Sequence, residues 1–497
     1  MRSRCFAIAL ASVAIGIAGL AYGGELTVLV PVMAGKQALT QAAPKDGAQA
    51  PIVKLSSNQP AAKSASDAIA QAVLREAKRG AVKFMIDLDE RAQRLAGAKQ
   101  PTPTYILVSD DSKEIAGRGF WLSGADNKLT WKDEPFVNMA VDKRTVDDGS
   151  FEEAFAYEMG RVILRRLLPR LPDGLSRAPH SSLAITDYPT AFAEGFAIHF
   201  QGLARLLTQN ANLRARDAGL PYKPLVGYAP DNFDLTLRVR GMRDNLFVQR
   251  QLPMPLKVGD ATALFDPTHF KNAQQMLSSE GVIATLFYHL MLLPGDNATQ
   301  RANRYQSLLI SLRTLNAQKL TRETPMFINL VRVHVQRLTV VRAQWIGTVL
   351  DLTYGATVGS TVLHETTRLA ALGLERHDDE FSVTVRRMDS ALNALKRRVV
   401  ANPKLLDDAI GSELWIAVLR GNDVATLNLN TAEQNTLMTI LNIEPLDAEL
   451  LLADRWAHGP YKNVDDFIAR RRASTTLRKL VEDGHALALK TDGYRRR

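Results

Sequence analysis

Glu158 stands between a phenol and a guanidinium, Tyr157 and Arg161, in the segment Ala156-Tyr157-Glu158-Met159-Gly160-Arg161-Val162. Positions i and i+4 share one face of a helix, so Tyr157 and Arg161 would project side by side with Glu158 next to them. Two imidazoles at that spacing can share a divalent ion, and a carboxylate between them can act as general base on a metal-bound water. Tyr157 and Arg161 keep the spacing and change the chemistry. A guanidinium stays protonated and has no lone pair to give a metal, and a phenol is a poor substitute for an imidazole. Glu158 is then a base with no metal-bound water to deprotonate.

Two further segments place acidic residues beside glycine on helical patterns: Thr190-Ala191-Phe192-Ala193-Glu194-Gly195-Phe196-Ala197-Ile198-His199-Phe200, and Ser279-Glu280-Gly281-Val282-Ile283-Ala284-Thr285-Leu286-Phe287-Tyr288-His289-Leu290. In order and rough spacing the three segments resemble the Glu-zincin metallopeptidases. The first is similar to their H-E-x-G-H-V helix, and the second to the E-G-x-A helix that supplies their third zinc ligand. The last is similar to an E-G-x-x-A-x-x-L-x-x-L helix of several bacterial members. The resemblance covers roughly residues 83–300 and fails at both histidine positions. It implies an α+β fold, mostly α, over residues 67–410, with a small N-terminal sheet and a helical lower lobe. It also implies that Glu158 is a vestigial base, that Tyr157, Arg161 and Glu194 are vestigial metal-site positions, and that Glu280 and His289 are candidates to line the cleft. No metal and no cofactor is expected.

Electrostatics supplies a reason for the substitution. Glu158 and Glu194 would converge on a site shaped for a cation, and two carboxylates without a counter-charge repel. Arg161 can take the place of the ion, so we expect it to pair with Glu194, with Tyr157 donating a hydrogen bond; the alternative is that Arg161 points into solvent. Other histidines are the only donors for a displaced metal site. His199 follows Glu194 by five residues and so leaves its helical face, which favours a packed histidine. His289 reads first as a satisfied core histidine. His364 begins His364-Glu365-Thr366-Thr367-Arg368, which again ends in arginine, and a lone H-E pair supplies a single ligand.

Elements must hold these residues in place. Pro103–Val108, Gly119–Leu122 and Phe136–Val141 read as short strands rich in β-branched and aromatic residues ahead of the Glu158 helix. Helical patterning starts near Asp67 and returns over Gln300–Val349 and Phe381–Val400. Ahead of it, Arg2 and Arg4, the apolar run Phe6–Leu20 and the small residues of Ala21-Tyr22-Gly23 form a secretory signal over residues 1–23, with an uncleaved membrane anchor as the alternative. Export to a bacterial periplasm or medium is expected. Residues 24–66 read as a flexible linker with a short apolar segment at Leu26–Val32, being rich in Ala, Gln, Lys, Pro and Ser. Cys5 is the only cysteine and lies in the signal, which excludes thiol catalysis and a disulfide framework in the processed chain.

The segment Leu427-Asn428-Leu429-Asn430-Thr431-Ala432, followed by Leu441-Asn442-Ile443-Glu444-Pro445, Arg455 and Gly459-Pro460-Tyr461-Lys462-Asn463-Val464, resembles the helix-hairpin-helix module of secreted competence DNA receptors and of a type II secretion pseudopilin. The resemblance covers residues 425–475 and is followed by a basic tail, 476–497. Such hairpins bring glycine backbone N–H groups to phosphate oxygens. Here Asn442 and Glu444 flank Ile443 at those positions, and a carboxylate facing a phosphate repels it, which favours a docking or structural role over DNA binding. Arg455, Lys462 and Arg470–Arg472 are the basic residues that would compensate. The net charge of +10, about +8 without Arg2 and Arg4, suits anionic surfaces, including phospholipid head groups, cell-wall polymers and nucleic acid.

Three functions of different class follow. One is a catalytically inactive metallopeptidase-like protein that binds a protein or cell-envelope partner. The second is a zinc hydrolase with displaced ligands drawn from Glu194, His199, His289 and His364. The third is envelope DNA capture through the C-terminal module.

Overall fold

The protein is described by a computed structural model over residues 24–56, 65–109, 115–124, 126–174, 182, 185–220, 233–251, 265–359, 362, 366, 379–410, 425–428, 430, 445–462, 464–470 and 487–490. These residues form an α+β fold in which helix predominates. The chain opens with β1 (Leu26–Pro31), a small hairpin of β2 (Met33–Ala34) and β3 (Gln37–Ala38), then β4 (Thr40–Ala42) and β5 (Gln49–Leu55). Two helices follow, α1 (Ala65–Glu76) and α2 (Gly80–Leu95), and then β6 (Thr104–Ser109), β7 (Ile115–Ser123) and β8 (Leu129–Ala140).

The sheet closes on itself. β1 runs parallel to β6, β6 parallel to β8, β8 antiparallel to β7 and β7 parallel to β5, while β5 returns antiparallel to β1 through Leu29↔Leu55 and Pro31↔Val53. The ring is filled by Leu29, Val53, Leu107, Phe120 and Phe136, with Phe120 edge-on to both Tyr105 and Phe136. Closure removes sheet edges that would otherwise present unpaired backbone groups. β7 bends between Arg118 and Phe120 at Gly119, whose φ of 86° is a left-handed conformation that glycine adopts without steric cost.

The linker expected over residues 24–66 is therefore corrected for most of its length. Leu26–Pro31 and Gln49–Leu55 are two of the five strands of the ring. A polar, Ala- and Pro-rich composition is enough for β5 because its apolar content is concentrated in Ile52 and Val53, both buried. The exposed residues between the two strands form a hairpin excursion outside the ring, where polar side chains belong.

Beyond the sheet come α3 (Lys143–Asp148), α4 (Ser150–Leu167), α5 (Tyr188–Leu207), α6 (Ala211–Ala218) and α7 (Phe233–Arg243). The strands β9 (Gln249–Gln251) and β10 (Phe265–Phe270) pair antiparallel. Next are α8 (Ala273–Leu277), α9 (Glu280–Met291), α10 (Ala298–Leu315), α11 (Met326–Arg337), α12 (Arg342–Leu352) and α13 (Asp379–Ala401). α5 is the central helix. Phe192, Phe196, Phe200, Ala197 and Leu203 bury several of its sides, the pattern of a helix enclosed by others. Asp187 caps it by accepting from the Thr190 N–H at 2.8 Å, and Pro189 sits in the first turn, where its missing N–H costs nothing.

α2 ties the ring to this bundle. Buried Asp89 on α2 accepts from Arg166 Nε of α4 at 2.7 Å, from Thr104 Oγ1 of β6 at 3.1 Å and from Gln93 Nε2 at 3.0 Å. Three segments of the chain thus satisfy one carboxylate, and the α4 register relative to the sheet depends on it. Arg165 adds a bond from its guanidinium to the Ala116 carbonyl of β7 at 2.9 Å.

The first turn of α4 also carries Glu152, buried beside Thr208, whose hydroxyl donates to it at 2.9 Å. Burial raises the Glu152 pKa to about 7, against the bond from Thr208 and the charge of Arg79, which favour the ionised form. A carboxyl that is harder to ionise in the folded chain than in the unfolded one binds its proton more tightly when folded. Its contribution therefore favours folding below its unfolded pKa and fades as pH rises to about 7. Glu152→Gln keeps an acceptor for Thr208 and removes the ionisation. It is expected to leave stability unchanged near pH 4 and to raise it by about 2 kcal/mol at pH 8, as read from urea unfolding at the two pH values.

Candidate functional site

α4 and α5 cross so closely that the glycines of the sequence motifs are contact points. A Cβ on Gly160 would lie 2.7 Å from Phe200 Cδ2 and 3.0 Å from the Ala197 Cα, both on α5. A Cβ on Gly195 would lie 2.6 Å from Ile283 Cβ of α9 and 2.9 Å from the Ala284 backbone nitrogen. The glycines one or two residues after Glu158 and Glu194 therefore let three helices approach backbone to backbone, and this fixes where the two glutamates point.

Tyr157, Arg161 and Glu194 meet. The Tyr157 hydroxyl donates to Glu194 Oε2 at 2.5 Å, and Arg161 Nη2 donates to Glu194 Oε1 at 2.6 Å. Both carboxylate oxygens are thus engaged by donors from one face of α4. Arg161 Nη1 also lies 3.7 Å from Glu158 Oε1, whose side chain is almost fully enclosed. The Tyr157 ring is flanked by two guanidinium groups, Arg161 at 4.9 Å and Arg238 at 5.5 Å from its centroid, within the range of cation–π attraction.

The charges balance without an added cation: Glu158 and Glu194 on one side, Arg161 and Arg238 on the other. Burial, followed by the neighbouring charge of Glu194, holds the Tyr157 pKa well above the ordinary phenol value, so the hydroxyl stays a donor. Burial works against the charge on Arg161, but Tyr157, Glu194 and Glu158 reverse that and hold its pKa above the ordinary value. Tyr157 and Arg161 are thus both held in their donor forms, and Glu194 accepts from each.

The donor set does not suit zinc. Arg161 has no lone pair to give, the neutral phenol of Tyr157 is a weak ligand whose proton is already directed at Glu194, and Glu194 receives a hydrogen bond on each oxygen. Among the described residues no group of three or more His, Cys, Asp or Glu side chains is arranged to hold a metal ion.

Next to the cluster lies a pocket of about 270 Å³ bounded by Tyr157, Ala154 and Phe151 of α4, Met139 and Ala140 at the end of β8, Gln201 of α5 and Arg238 of α7. Gln201 follows Glu194 by two helical turns, which sets it on the same face of α5. Its side chain is buried and its Oε1 has no hydrogen-bond partner among the described residues. Sequence reasoning singled out neither Gln201 nor Arg238. The signal for Gln201 was its seven-residue spacing from Glu194; Arg238 had none, because its helix has little apolar asymmetry and is positioned by packing on α9.

The remaining candidates separate. Glu280 is buried in the first turn of α9. His289 lies nine residues further along the same helix, about 13 Å away at 1.5 Å per residue, and its Nε2–H donates to the Met242 carbonyl at 3.0 Å. It lines a different pocket, of about 440 Å³, with Arg243, Tyr288 and Asp351, so its placement in the Tyr157 cleft is corrected. His199 is fully enclosed among Phe196, Phe200, Phe287 and Tyr305. Its Nδ1 bonds the Phe196 carbonyl, its Nε2 lies 3.1 Å from the Tyr305 hydroxyl, and burial lowers its pKa to about 3. It is a neutral core residue. His364 lies outside the described residues.

Toward the C-terminus, β11 (Ala425–Asn428) pairs parallel with β12 (Leu487–Lys490), and the helices α14 (Pro445–His458) and α15 (Val464–Arg470) are separated by a short turn. Asn430 reads like a peptide unit against that turn. Its Nδ2 donates to the Tyr461 carbonyl at 2.9 Å and its Oδ1 accepts from the Tyr461 N–H at 2.7 Å. Arg470 donates to Asp466 at 2.7 Å and to the Gly459 carbonyl at 2.9 Å, with its guanidinium over the Tyr461 ring. It therefore braces the turn and presents less of its charge to an outside phosphate than a free arginine would. Lys462 is exposed and Arg455 half-buried on α14. Asn442, Ile443 and Glu444 lie outside the described residues.

No helix of the described residues is long and apolar enough to cross a membrane. No protein-family model, curated protein or solved structure matches the chain.

Proposed function

We propose that the chain is a secreted or periplasmic protein of metallopeptidase-like design that has exchanged its metal chemistry for a fixed ion pair and works by binding a protein or cell-envelope partner. The observation that carries this is the double engagement of Glu194 by Tyr157 and Arg161. A carboxylate held between two donors, next to a second carboxylate facing the same guanidinium, has nothing to deliver to a scissile bond. The pocket beside it remains open and has an apolar wall of Met139, Phe151 and Ala154, with Gln201 and Arg238 as polar contacts. Such a lining suits a peptide segment, whose carbonyl groups can take up the donors while a side chain fills the apolar part.

A displaced zinc site would draw on Glu194, His199, His289 and His364; of these Glu194 is held by Tyr157 and Arg161, His199 lies in an aromatic core and His289 on the Met242 carbonyl, while His364 lies outside the described residues. The test is to assay the purified full chain for stoichiometric transition metal and for hydrolysis of a mixed peptide library, with and without a chelator. No chelator-sensitive cleavage is expected. Cleavage that disappears on chelation and returns with zinc would overturn the proposal.

A further inference from the structure

We propose that Gly24 is the first residue of the exported chain and that its newly formed α-ammonium group is seated on the Asp87 carboxylate of α2. This rests on the export half of the function proposed above and is independent of the Tyr157–Arg161–Glu194 cluster.

The backbone nitrogen of Gly24 lies 3.3 Å from Asp87 Oδ1. A side chain is excluded at that point, because a Cβ on Gly24 would fall 2.8 Å from both the Cγ2 and the carbonyl oxygen of Ile86. The chain thus reaches α2 by bare backbone. One residue later it is committed to the ring: the Glu25 carbonyl accepts from the Thr104 N–H at 2.8 Å, and Leu26 pairs with Thr104 in β1–β6. There is no slack between the carboxylate and the sheet. In the sequence, Ala21 and Gly23 place small residues at the two positions a signal peptidase reads for a cut between Gly23 and Gly24.

The chemistry is a hydrolysis. Water adds across the Gly23–Gly24 peptide bond, Gly23 departs with the signal as a carboxylate, and Gly24 keeps the nitrogen, which takes up a proton. A neutral amide offers Asp87 one N–H; an ammonium offers three and a full charge. Charge-assisted hydrogen bonds of this kind are roughly twice as strong as neutral ones. Asp87 also receives Lys83 from the preceding turn of α2, and its side chain is about a quarter exposed, at 26%, so the added effect is modest and sensitive to salt. The cut then does more than release the signal, because it creates the group that fastens the first strand of the ring to α2.

The full chain with its own signal, expressed in a secreting bacterium, should appear outside the cytoplasm with an intact mass that begins at Gly24. Export with any other first residue overturns the inference and leaves the export reading standing, whereas a chain that stays uncut inside the cell overturns both. A second comparison uses chains released by a tag protease to begin at Gly24 or at Gly23, each with and without Asp87→Asn. The chain that begins at Gly24 is expected to melt about 1–2 °C above the one that begins at Gly23, with no difference between them once Asp87→Asn is present. At pH 7.5 its α-amine should acylate about fivefold more slowly than in the Asp87→Asn variant, since pairing with a carboxylate keeps an amine protonated. Equal melting and equal acylation rates with and without Asp87 would show that the nitrogen gains nothing from that carboxylate.

Discussion

Replacing Tyr157 and Arg161 together by histidine is expected to produce a chain that holds one zinc ion through dialysis, with affinity at least about a thousandfold above the parent, or on the order of 4 kcal/mol. Tyr157 and Arg161 already reach the two oxygens of Glu194 from neighbouring turns of α4. The backbones are held at that separation by Gly160 against α5 and by Gly195 against α9. Two imidazoles on the same positions would face Glu194 with their lone pairs, which gives the three protein ligands of an open zinc site. Removing Arg161 also deletes the cation that competes for the same space. Arg238 stays nearby and weakens the gain without abolishing it. Arg161→His alone leaves one imidazole and one carboxylate and is expected to bind far less tightly. Competition with a chromophoric chelator measures the affinity. A double variant that folds and yet binds zinc no better than the parent would mean that α4 and α5 are not a refilled metal cradle.

The parts of this arrangement that sequence reasoning reached were those decided by short-range spacing and by charge. Tyr157 and Arg161 share a helical face by periodicity alone, with Glu158 beside them, and a second, largely enclosed carboxylate at Glu194 calls for a cation, so the pairing follows from electrostatics once the helices meet. The strands β6, β7 and β8 were legible for a similar reason, since β-branched and aromatic residues crowd short segments between turn residues. The ring was not. β1 and β5 are short, their neighbours are polar, and their membership is set by pairing with residues about 70 to 80 positions away, such as Leu29 with Leu107 and Val53 with Leu122. Composition registers the polar hairpin between them and misses the two buried residues that matter. His289 followed its first reading, a histidine satisfied by a backbone carbonyl, and not its second, a place in the cleft. A helix of twelve residues has two ends far apart, and a residue named for sharing a motif with Glu280 has no reason to share its pocket. Arg238 was out of reach because its role beside Tyr157 arises from the packing of α7 on α9.

Arg161→Met tests the ion pair itself, since methionine fills similar volume without charge. The substitution takes the guanidinium from Glu194 Oε1, keeps the Tyr157 bond to Oε2, and removes the guanidinium that faces Glu158. Breaking an enclosed pair by deleting one partner is costly because the other keeps its desolvation penalty. Arg161 is partly exposed, at 24%, and Arg238 is close, so we expect a loss of about 2–4 kcal/mol at pH 8. The sign of its pH dependence follows from which species is left over. Two carboxylates without their cation bind protons more readily in the folded variant than in its unfolded chain, so the penalty is complete above their folded pKa and shrinks as pH falls toward the ordinary glutamate value of about 4.3. The loss at pH 5 is therefore expected to be well below that at pH 8. Adding Glu194→Gln keeps an acceptor for Tyr157 and removes one of the charges, so the double variant should be more stable at pH 8 than Arg161→Met alone. Urea unfolding of the four chains closes the cycle and yields the coupling between the two residues. Costs that simply add, with no dependence on pH, would place Arg161 among ordinary surface arginines and leave Glu194 without the counter-charge assigned to it.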